Sequence, residues 1–208
     1  MGAVREGEWG LRGRANEGLG LGLGLGLRGL AGRQVAGIGE VVAVAAAAGI
    51  PVWLRGGWAM DFHLGEVTRR HVDVDWYCWR ADAARLAALL ADRGWRPDPR
   101  MPVETQLDVL RDDVEMSFAY LGRDAAGRVT VGGGAWEGTP LPVGLLDGPA
   151  GRIGALVAPM ITVGAQIEFK EMYPVWMPDR PRRQKDADDL ARLRTSLATP
   201  APSATDPP

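Results

Sequence analysis

The feature that most constrains the fold of this chain is a run of alternating polar and apolar residues around two aspartates, Asp73 and Asp75. Successive strand side chains point to opposite faces, so this period of two predicts a strand over 72–79 with both carboxylates on one face. Their Cα atoms should lie ~7 Å apart, because a strand rises ~3.3 Å per residue. The predicted core face holds Val72, Val74, Trp76 and Cys78, and the predicted polar face holds His71, Asp73, Asp75 and Tyr77.

Two carboxylates on one strand face predict a site for a divalent cation. Like charges side by side are unfavourable unless a cation lies between them. Mg²⁺ prefers oxygen ligands and is typically held by one or two carboxylates together with substrate phosphates. A solvated acidic face is the alternative, but the intervening apolar residues place this strand in a core. We therefore predict that Asp73 and Asp75 bind Mg²⁺.

A glycine pair, Gly56-Gly57, precedes the aspartates by about fifteen residues. Glycine lets backbone amides approach a phosphate, and the N-terminus of a following helix favours negative charge. An ordinary strand-to-helix turn is the other use of such a pair. Taken with the two aspartates, the pair indicates phosphoryl or nucleotidyl transfer.

The composition excludes several classes of protein. The net charge of −2 provides no basic field for nucleic acid, and Cys78 is the only cysteine, so an internal disulfide is impossible. No apolar run reaches the roughly eighteen residues of a membrane span, so no membrane partner is expected. We expect a cytoplasmic protein that does not bind nucleic acid; the sequence does not indicate an oligomeric state.

Both ends of the chain have compositions typical of disorder. Residues 1–31 contain a Gly-Leu repeat and are predicted to form a disordered low-complexity extension. Residues 199–208, rich in Pro, Ala, Ser and Thr, are predicted to form a disordered tail, which leaves one domain over 32–198. The dinucleotide-like pattern Gly24-x-Gly26-x-x-Gly29 arises from the repeat and follows no credible strand, so it is not predicted to bind nucleotide.

Hydrophobic periodicity predicts helices and strands that interleave around hairpins. Helices are predicted at 34–48, 57–64, 81–93, 162–172 and 185–197, and further strands at 51–54, 105–110, 114–121, 127–131 and 155–159. Residues 132–154 are expected to be mostly loop. The expected fold class is α/β or α+β, with a mixed sheet flanked by helices.

Two segments resemble the antibiotic nucleotidyltransferases of the DNA polymerase β-like superfamily. They are Trp53-Leu-Arg-Gly56-Gly57-Trp58-Ala-Met-Asp61 and Thr68-Arg69-Arg-His71-Val-Asp73-Val-Asp75. The chain is most similar to aminoglycoside 2″-adenylyltransferase-like and lincosamide nucleotidyltransferase-like proteins, over roughly residues 33–197. The resemblance implies a polymerase β-like nucleotidyltransferase fold, a nucleoside triphosphate co-substrate and Mg²⁺.

The resemblance also implies a third carboxylate on a later strand. Glu115 is the best match, because Val114, Met116 and Phe118 take the apolar face of that strand and leave Glu115 on the other. Glu115 is expected to act mainly as a base on the acceptor hydroxyl. Asp113 is the alternative if the register differs by two residues.

Basic residues that would contact the nucleotide are carried over in the same way. Arg69 matches the arginine of the motif, with Arg70 as a competitor, and His71 is expected either to orient a carboxylate or to form a structural hydrogen bond. Only two of the 24 basic residues are lysines. Of these, Lys170 is favoured over Lys185 as a phosphate contact, whereas Asp186 and Asp189 are expected to hold the last helix and its lysine, Lys185, in place.

The predicted function is Mg²⁺-dependent transfer of a nucleoside monophosphate, AMP from ATP, to a hydroxyl of a small molecule. An aminoglycoside is the expected acceptor, since an acidic pocket would attract a polycation. Trp136 and Trp176 are candidates for lining an acceptor pocket. The alternatives are the same chemistry on a lincosamide, another small molecule or a protein hydroxyl, and a non-catalytic member that binds nucleotide or a partner.

Overall fold

The computed structural model describes residues 29–179 and 183–198, and the disorder predicted before residue 29 and after residue 198 lies outside these residues. Five helices occupy the described residues: α1 (Leu30–Ala48), α2 (Gly56–Leu64), α3 (Ala83–Ala91), α4 (Val163–Trp176) and α5 (Gln184–Ala198). The predicted helices are all present. Helix α1 starts four residues earlier than predicted, and α4 continues through Pro174 to Trp176.

Within the described residues eight strands form two sheets. They are β1 (Val52–Arg55), β2 (Val74–Trp79), β3 (Arg96–Pro97), β4 (Gln106–Arg111), β5 (Val114–Arg123), β6 (Val129–Val131), β7 (Gly151–Ile153) and β8 (Leu156–Ala158). The larger sheet has the order β1-β2-β5-β4-β3, with β6 also paired to β5, and β7 and β8 form a separate hairpin. Strands β2 and β5 are parallel and the other pairs are antiparallel. The predicted mixed sheet with flanking helices is therefore confirmed.

The apolar face of this sheet packs against α1 and α3. Trp76 of β2 and Phe118 of β5 are fully buried side by side, with their rings stacked at a centroid distance of 5.9 Å. Helix α1 approaches the sheet closely at Gly37, where a Cβ would lie 2.5 Å from the Met116 Cε atom. The core is thus built from the alternate positions that the sequence pattern predicted for β2 and β5.

Helix α1 is the one described helix that is long and apolar enough to cross a membrane. It also carries charged side chains with partners on the sheet and the α3–β3 connection. Glu40 accepts hydrogen bonds from the Trp95 indole at 2.9 Å and forms an ion pair with Arg111 at 2.8 Å. Its buried residues, Ile38 and Val41 among them, belong to the main core, so α1 packs as a core helix.

The start of β2 differs from the prediction. The strand begins at Val74, whose register partner is Met116 of β5, so Asp73 lies one residue before the strand. Val72 has a side chain that is 46 % exposed, and its predicted place in the core is wrong. His71 is 3 % exposed and turns inward. The predicted alternation fails here because the backbone before Val74 has no strand partner to keep it extended.

Candidate active site

A cavity of about 1140 Å³ lies where the β1–α2 turn, the segment before β2 and the helices α4 and α5 meet. Most residues predicted from the sequence line it, namely Gly56, Gly57, Arg69, Arg70, His71, Asp73, Asp75, Lys170 and Lys185. These residues come from four separate parts of the chain. The fold therefore brings the predicted glycine, aspartate and basic residues to one place.

The two glycines are required by the close approach of side chains to the β1–α2 turn. Gly56 has a φ of +66°, and a Cβ there would lie 2.6 Å from the Asp75 Oδ2 atom. A Cβ on Gly57 would lie 2.5 Å from the His71 ring and 2.6 Å from the Arg69 Nη2 atom. Any larger residue would displace one of these groups. The glycines thus allow the first turn of α2 to sit directly against the carboxylates.

Asp73 and Asp75 form the acidic centre of the cavity. Burial, followed by the negative charge of Asp75, raises the pKa of Asp73 to about 7, although Lys185 and Arg55 act in the opposite direction. Asp75 lies 3.7 Å from the Arg55 guanidinium, which also stacks over the Tyr77 ring. Burial is the main cause of the raised pKa of Asp73 and the charge of Asp75 is the second, and together they outweigh the opposite effect of Lys185 and Arg55.

The donor set fits a hard divalent cation. Both groups supply carboxylate oxygens, and a cation between them would stabilise the ionised form of Asp73, which burial and the charge of Asp75 disfavour. Within residues 29–179 and 183–198 no cluster of three acidic, histidine or cysteine side chains suitable for a metal is present. A cation here would thus have two protein carboxylates and would need its other ligands from water or a bound phosphate.

Glu115 is close enough to Asp73 for its charge to act on it, but it does not line the cavity and is held by an arginine. The parallel register of Val74 with Met116 aligns Asp73 with Glu115, whose charge contributes to the raised pKa of Asp73. The Glu115 Oε2 atom lies 2.9 Å from the Arg100 guanidinium, which also pairs with Asp98. The alternative third acid, Asp113, pairs instead with Arg33 of α1 at the β4–β5 turn, and this geometry contradicts a role in the cavity.

A partly buried network of hydrogen-bonded side chains extends from the glycine turn. The sequence did not predict this network. Asp61 of α2 is fully buried and accepts hydrogen bonds from the Thr68 hydroxyl at 2.6 Å and from the His71 Nε2 atom at 2.5 Å. The His71 Nδ1 atom lies 3.1 Å from the Arg69 Nη1 atom. Because the guanidinium can only donate, His71 accepts at Nδ1 and carries its proton on Nε2. Of the two roles considered for His71, the structure shows the structural hydrogen bond.

Asp189 of α5 extends this hydrogen-bond network through Arg69. Its carboxylate is 1 % exposed and accepts two hydrogen bonds from Arg69, at 3.1 and 3.2 Å, and one from the Lys170 ammonium at 2.7 Å. Burial alone would raise the pKa of Asp189. The hydrogen bonds from Arg69 and the charge of Lys170 have the larger combined effect, so the pKa is lowered. Asp189 therefore fixes both predicted phosphate-binding cations at the cavity wall. The sequence predicts that Asp186 and Asp189 hold the lysine of their own helix, Lys185, but the lysine that they pair with is Lys170 of α4.

Lys185 occupies a different position from Lys170. It lies near the start of α5, lines the cavity and is close enough for its charge to act on Asp73. Desolvation by the cavity walls, then the charges of Arg183 and Arg69, lower the pKa of Lys185. Arg70 is exposed at the cavity edge. The geometry thus places Lys185, rather than Lys170, opposite the acidic centre.

One further carboxylate was missed by the sequence reasoning. Asp108 of β4 is paired in register with Ser117 of β5, which is itself paired with Asp75 of β2. Gln106 donates a hydrogen bond to Asp108 at 2.7 Å, and burial raises the pKa of Asp108. The polar residues Gln106 and Asp108 alternate with Leu107 and Val109, and that alternation was the available signal.

Comparisons with known proteins agree with this geometry. The sequence model of the aminoglycoside-2''-adenylyltransferase family matches residues 37–126. Over 42 residues the chain is 48% identical to 2''-aminoglycoside nucleotidyltransferases of Klebsiella pneumoniae and Escherichia coli. That match covers 20% of this chain and 24% of each relative, so it spans about a quarter of their length.

Solved structures share the fold over most of the chain. The crystal structure of ANT(2'')-Ia in complex with adenylyl-2''-tobramycin has a TM-score of 0.62 at 25% identity, covering 79% of this chain and 90% of that one. The lincomycin-bound lincosamide adenylyltransferase LnuA has a TM-score of 0.60 at 17% identity, covering 76% and 94%, which shows a common fold. The chain is therefore similar to the aminoglycoside-2''-adenylyltransferases in sequence over residues 37–126, and it shares the fold of ANT(2'')-Ia over most of its length.

Proposed function

We propose that this protein transfers AMP from ATP to a hydroxyl group of a small molecule in a reaction that requires Mg²⁺. The observation that carries the proposal is the half-buried pair Asp73 and Asp75, with the raised pKa of Asp73, directly against the Gly56-Gly57 turn. Two neighbouring carboxylates that are partly withdrawn from water cost stability unless a cation is bound, which argues for function rather than for packing. The cytoplasm, where ATP and Mg²⁺ are present, is the proposed location.

Each residue has a definite task in this reaction. Asp73 and Asp75 would hold Mg²⁺, which neutralises phosphate charge and stabilises the attacking and leaving oxygens. Lys185 and Arg69 would bind triphosphate oxygens, and Lys170 would support them through Asp189.

The chemical step is a displacement at the α-phosphorus of ATP. The acceptor hydroxyl oxygen forms a bond to that phosphorus while the bond to the bridging oxygen breaks and pyrophosphate leaves. Glu115 would accept the hydroxyl proton, for which its carboxylate must turn from Arg100 toward Asp73. The products are an adenylylated acceptor and pyrophosphate.

Two acceptor classes are compatible with this reaction. Aminoglycosides are the class named by the curated relatives. A less charged hydroxyl compound, such as a lincosamide, is the second candidate, and the apolar side chains Trp136, Val143 and Trp176 in the cavity lining favour it. No partner other than nucleotide and acceptor is needed for the proposed reaction.

The function is tested by incubating the protein with MgATP and a panel of hydroxyl compounds and measuring pyrophosphate. We expect release that depends on the acceptor, with a mass spectrum showing one added AMP. Omitting Mg²⁺ should abolish it. MgATP binding without release for any acceptor would instead support a non-catalytic nucleotide-binding member.

Mg²⁺ binding is expected to weaken as the pH falls below 7. A proton competes with the metal for Asp73, whose pKa is about 7, so the apparent affinity should fall about tenfold per pH unit below 7 and level off above it. In the metal-free protein the same shift should make folding less favourable as the pH rises from about 4 to about 7, because the folded state then holds the proton more tightly than the unfolded chain. Calorimetric Mg²⁺ titrations between pH 5.5 and 8 test the predicted fall in affinity, and an Mg²⁺ affinity that does not change with pH would contradict it.

A further inference from the structure

One wall of the cavity is aromatic and exposed. We use the name aromatic wall for Trp136, Phe169, Tyr173 and Trp176, all of which line the cavity. Phe169 packs edge-on against Trp176, with ring centroids 6.0 Å apart, and lies 6.5 Å from the Tyr77 ring. Trp136 and Trp176 nevertheless remain 45 % and 44 % exposed. Ring contacts therefore hold Phe169 and Trp176 in place, while Trp136 and Trp176 keep open apolar surface at the cavity.

The exposed apolar surface of the described residues is concentrated at this cavity. Four of the eight large hydrophobic residues that are exposed line it: Val72, Trp136, Val143 and Trp176. Single exposed apolar residues are ordinary, but several that line one concave site are typical of a ligand pocket. Val72 directly precedes Asp73, so apolar surface lies next to the acidic centre.

The charges of the lining do not suit a polycation. Cationic side chains outnumber carboxylates by six to five, so the acidic pocket expected from the sequence is not present. Asp73 and Asp75 are assigned to the metal, and Asp186 is paired with Arg183 at 2.7 Å. Glu168 and Asp188 are left as carboxylates without an ion pair among the described residues. A ligand with four or five ammonium groups would have to lose the hydration of most of them without a partner.

We infer that the acceptor is an amphipathic hydroxyl compound with an apolar face and at most two ammonium groups, and that the aromatic wall binds this face. The inference rests on the proposed reaction and chooses between its two acceptor classes. The apolar face lies against Trp136 and Trp176, and the hydroxyl points toward Asp73 and Glu115. Glu168, beside Phe169, is positioned to pair with one amine.

The test compares three probes by calorimetry in the presence of Mg²⁺ and a non-hydrolysable ATP analogue. Lincomycin has an apolar chain and one amine, chloramphenicol is neutral and aromatic, and tobramycin is a polyamine. We expect the first two to bind at least tenfold more tightly than tobramycin. Trp176→Ala and Trp136→Ala should each weaken their binding about tenfold, since each removes a large apolar contact.

Val175→Ala is the matched control, because Val175 is 64 % exposed on the same helix but does not line the cavity. It should leave all three affinities unchanged. Tighter binding of tobramycin, or affinities for lincomycin and chloramphenicol that do not change in both tryptophan variants, would overturn the inference. Tight binding of the apolar probes with no pyrophosphate release would sink the proposed reaction while supporting the inferred pocket chemistry.

Discussion

Replacing Asp73 with asparagine is expected to lower kcat/KM for nucleotidyl transfer by about three orders of magnitude, which corresponds to ~4 kcal/mol of transition-state stabilisation. The amide keeps the size of the side chain but removes the negative charge that would hold Mg²⁺. Because the Asp73 carboxylate is crowded by burial and by Asp75, removing its charge should not destabilise the metal-free fold. Asp75→Asn should lose activity to a similar extent.

Asp112→Asn is the control for this change. Asp112 lies in the β4–β5 turn, is exposed and has a φ of +55°, a conformation that asparagine adopts readily. The activity and the stability of the Asp112→Asn protein should equal those of the unchanged protein. Pyrophosphate release should be measured together with thermal unfolding of each variant. An Asp73→Asn protein that retains a tenth or more of the activity would show that the metal assignment is wrong.

Replacing Asp189 with asparagine is expected to lower the free energy of unfolding by about 2–3 kcal/mol. The change leaves Arg69 and Lys170 without the buried carboxylate that neutralises both. Breaking a fully buried ion pair costs ~3–5 kcal/mol, and the cost is smaller here because Arg69 keeps 26% of its side chain in contact with solvent. Urea unfolding should show a lower midpoint with an unchanged slope.

The pH dependence of this effect separates charge from packing. Folding lowers the pKa of Asp189, so its stabilising contribution is present above the ordinary carboxyl pKa of 3.8 and is lost as the pH falls below it. The difference in the free energy of unfolding between the unchanged protein and Asp189→Asn should thus be constant from pH 6 to 8 and shrink below about pH 4. The neighbouring variant Asp188→Asn is the control, because Asp188 is exposed and only accepts a bond from Gln184. A difference that does not change with pH would indicate a packing defect instead.

Much of the fold was predictable because its signals are local. The alternation around Trp76 and Phe118 predicted the buried strands, and Gly49 and Gly65, both with positive φ, end α1 and α2 as helix-stop glycines do. The short strand β3 was missed, since a two-residue strand has no period to detect. Val72 was wrongly predicted to lie on the core face of β2, because alternation alone does not show at which residue strand pairing begins.

The polar contacts of the site were less predictable. Arg69 and Asp189 are separated by 120 residues, and Glu115 and Arg100 belong to different elements. The packing of α5 against α4 brings Asp189 to Lys170, and Asp189 also pairs with Arg69. No spacing in the sequence encodes such a pairing, because ion pairs depend on distance in space.

The sequence by itself determined the mixed sheet, the glycine turn and the acidic pair of Asp73 and Asp75, because glycine conformation and the period of a strand are local properties. Tertiary structure alone decided the rest. It raised the pKa of Asp73, tied Glu115 to Arg100, fixed Lys170 on Asp189 and assembled the aromatic wall from Trp136 and α4. Burial, charge pairing and cavity shape arise only when distant parts of the chain are packed together, and on these the choice of acceptor depends.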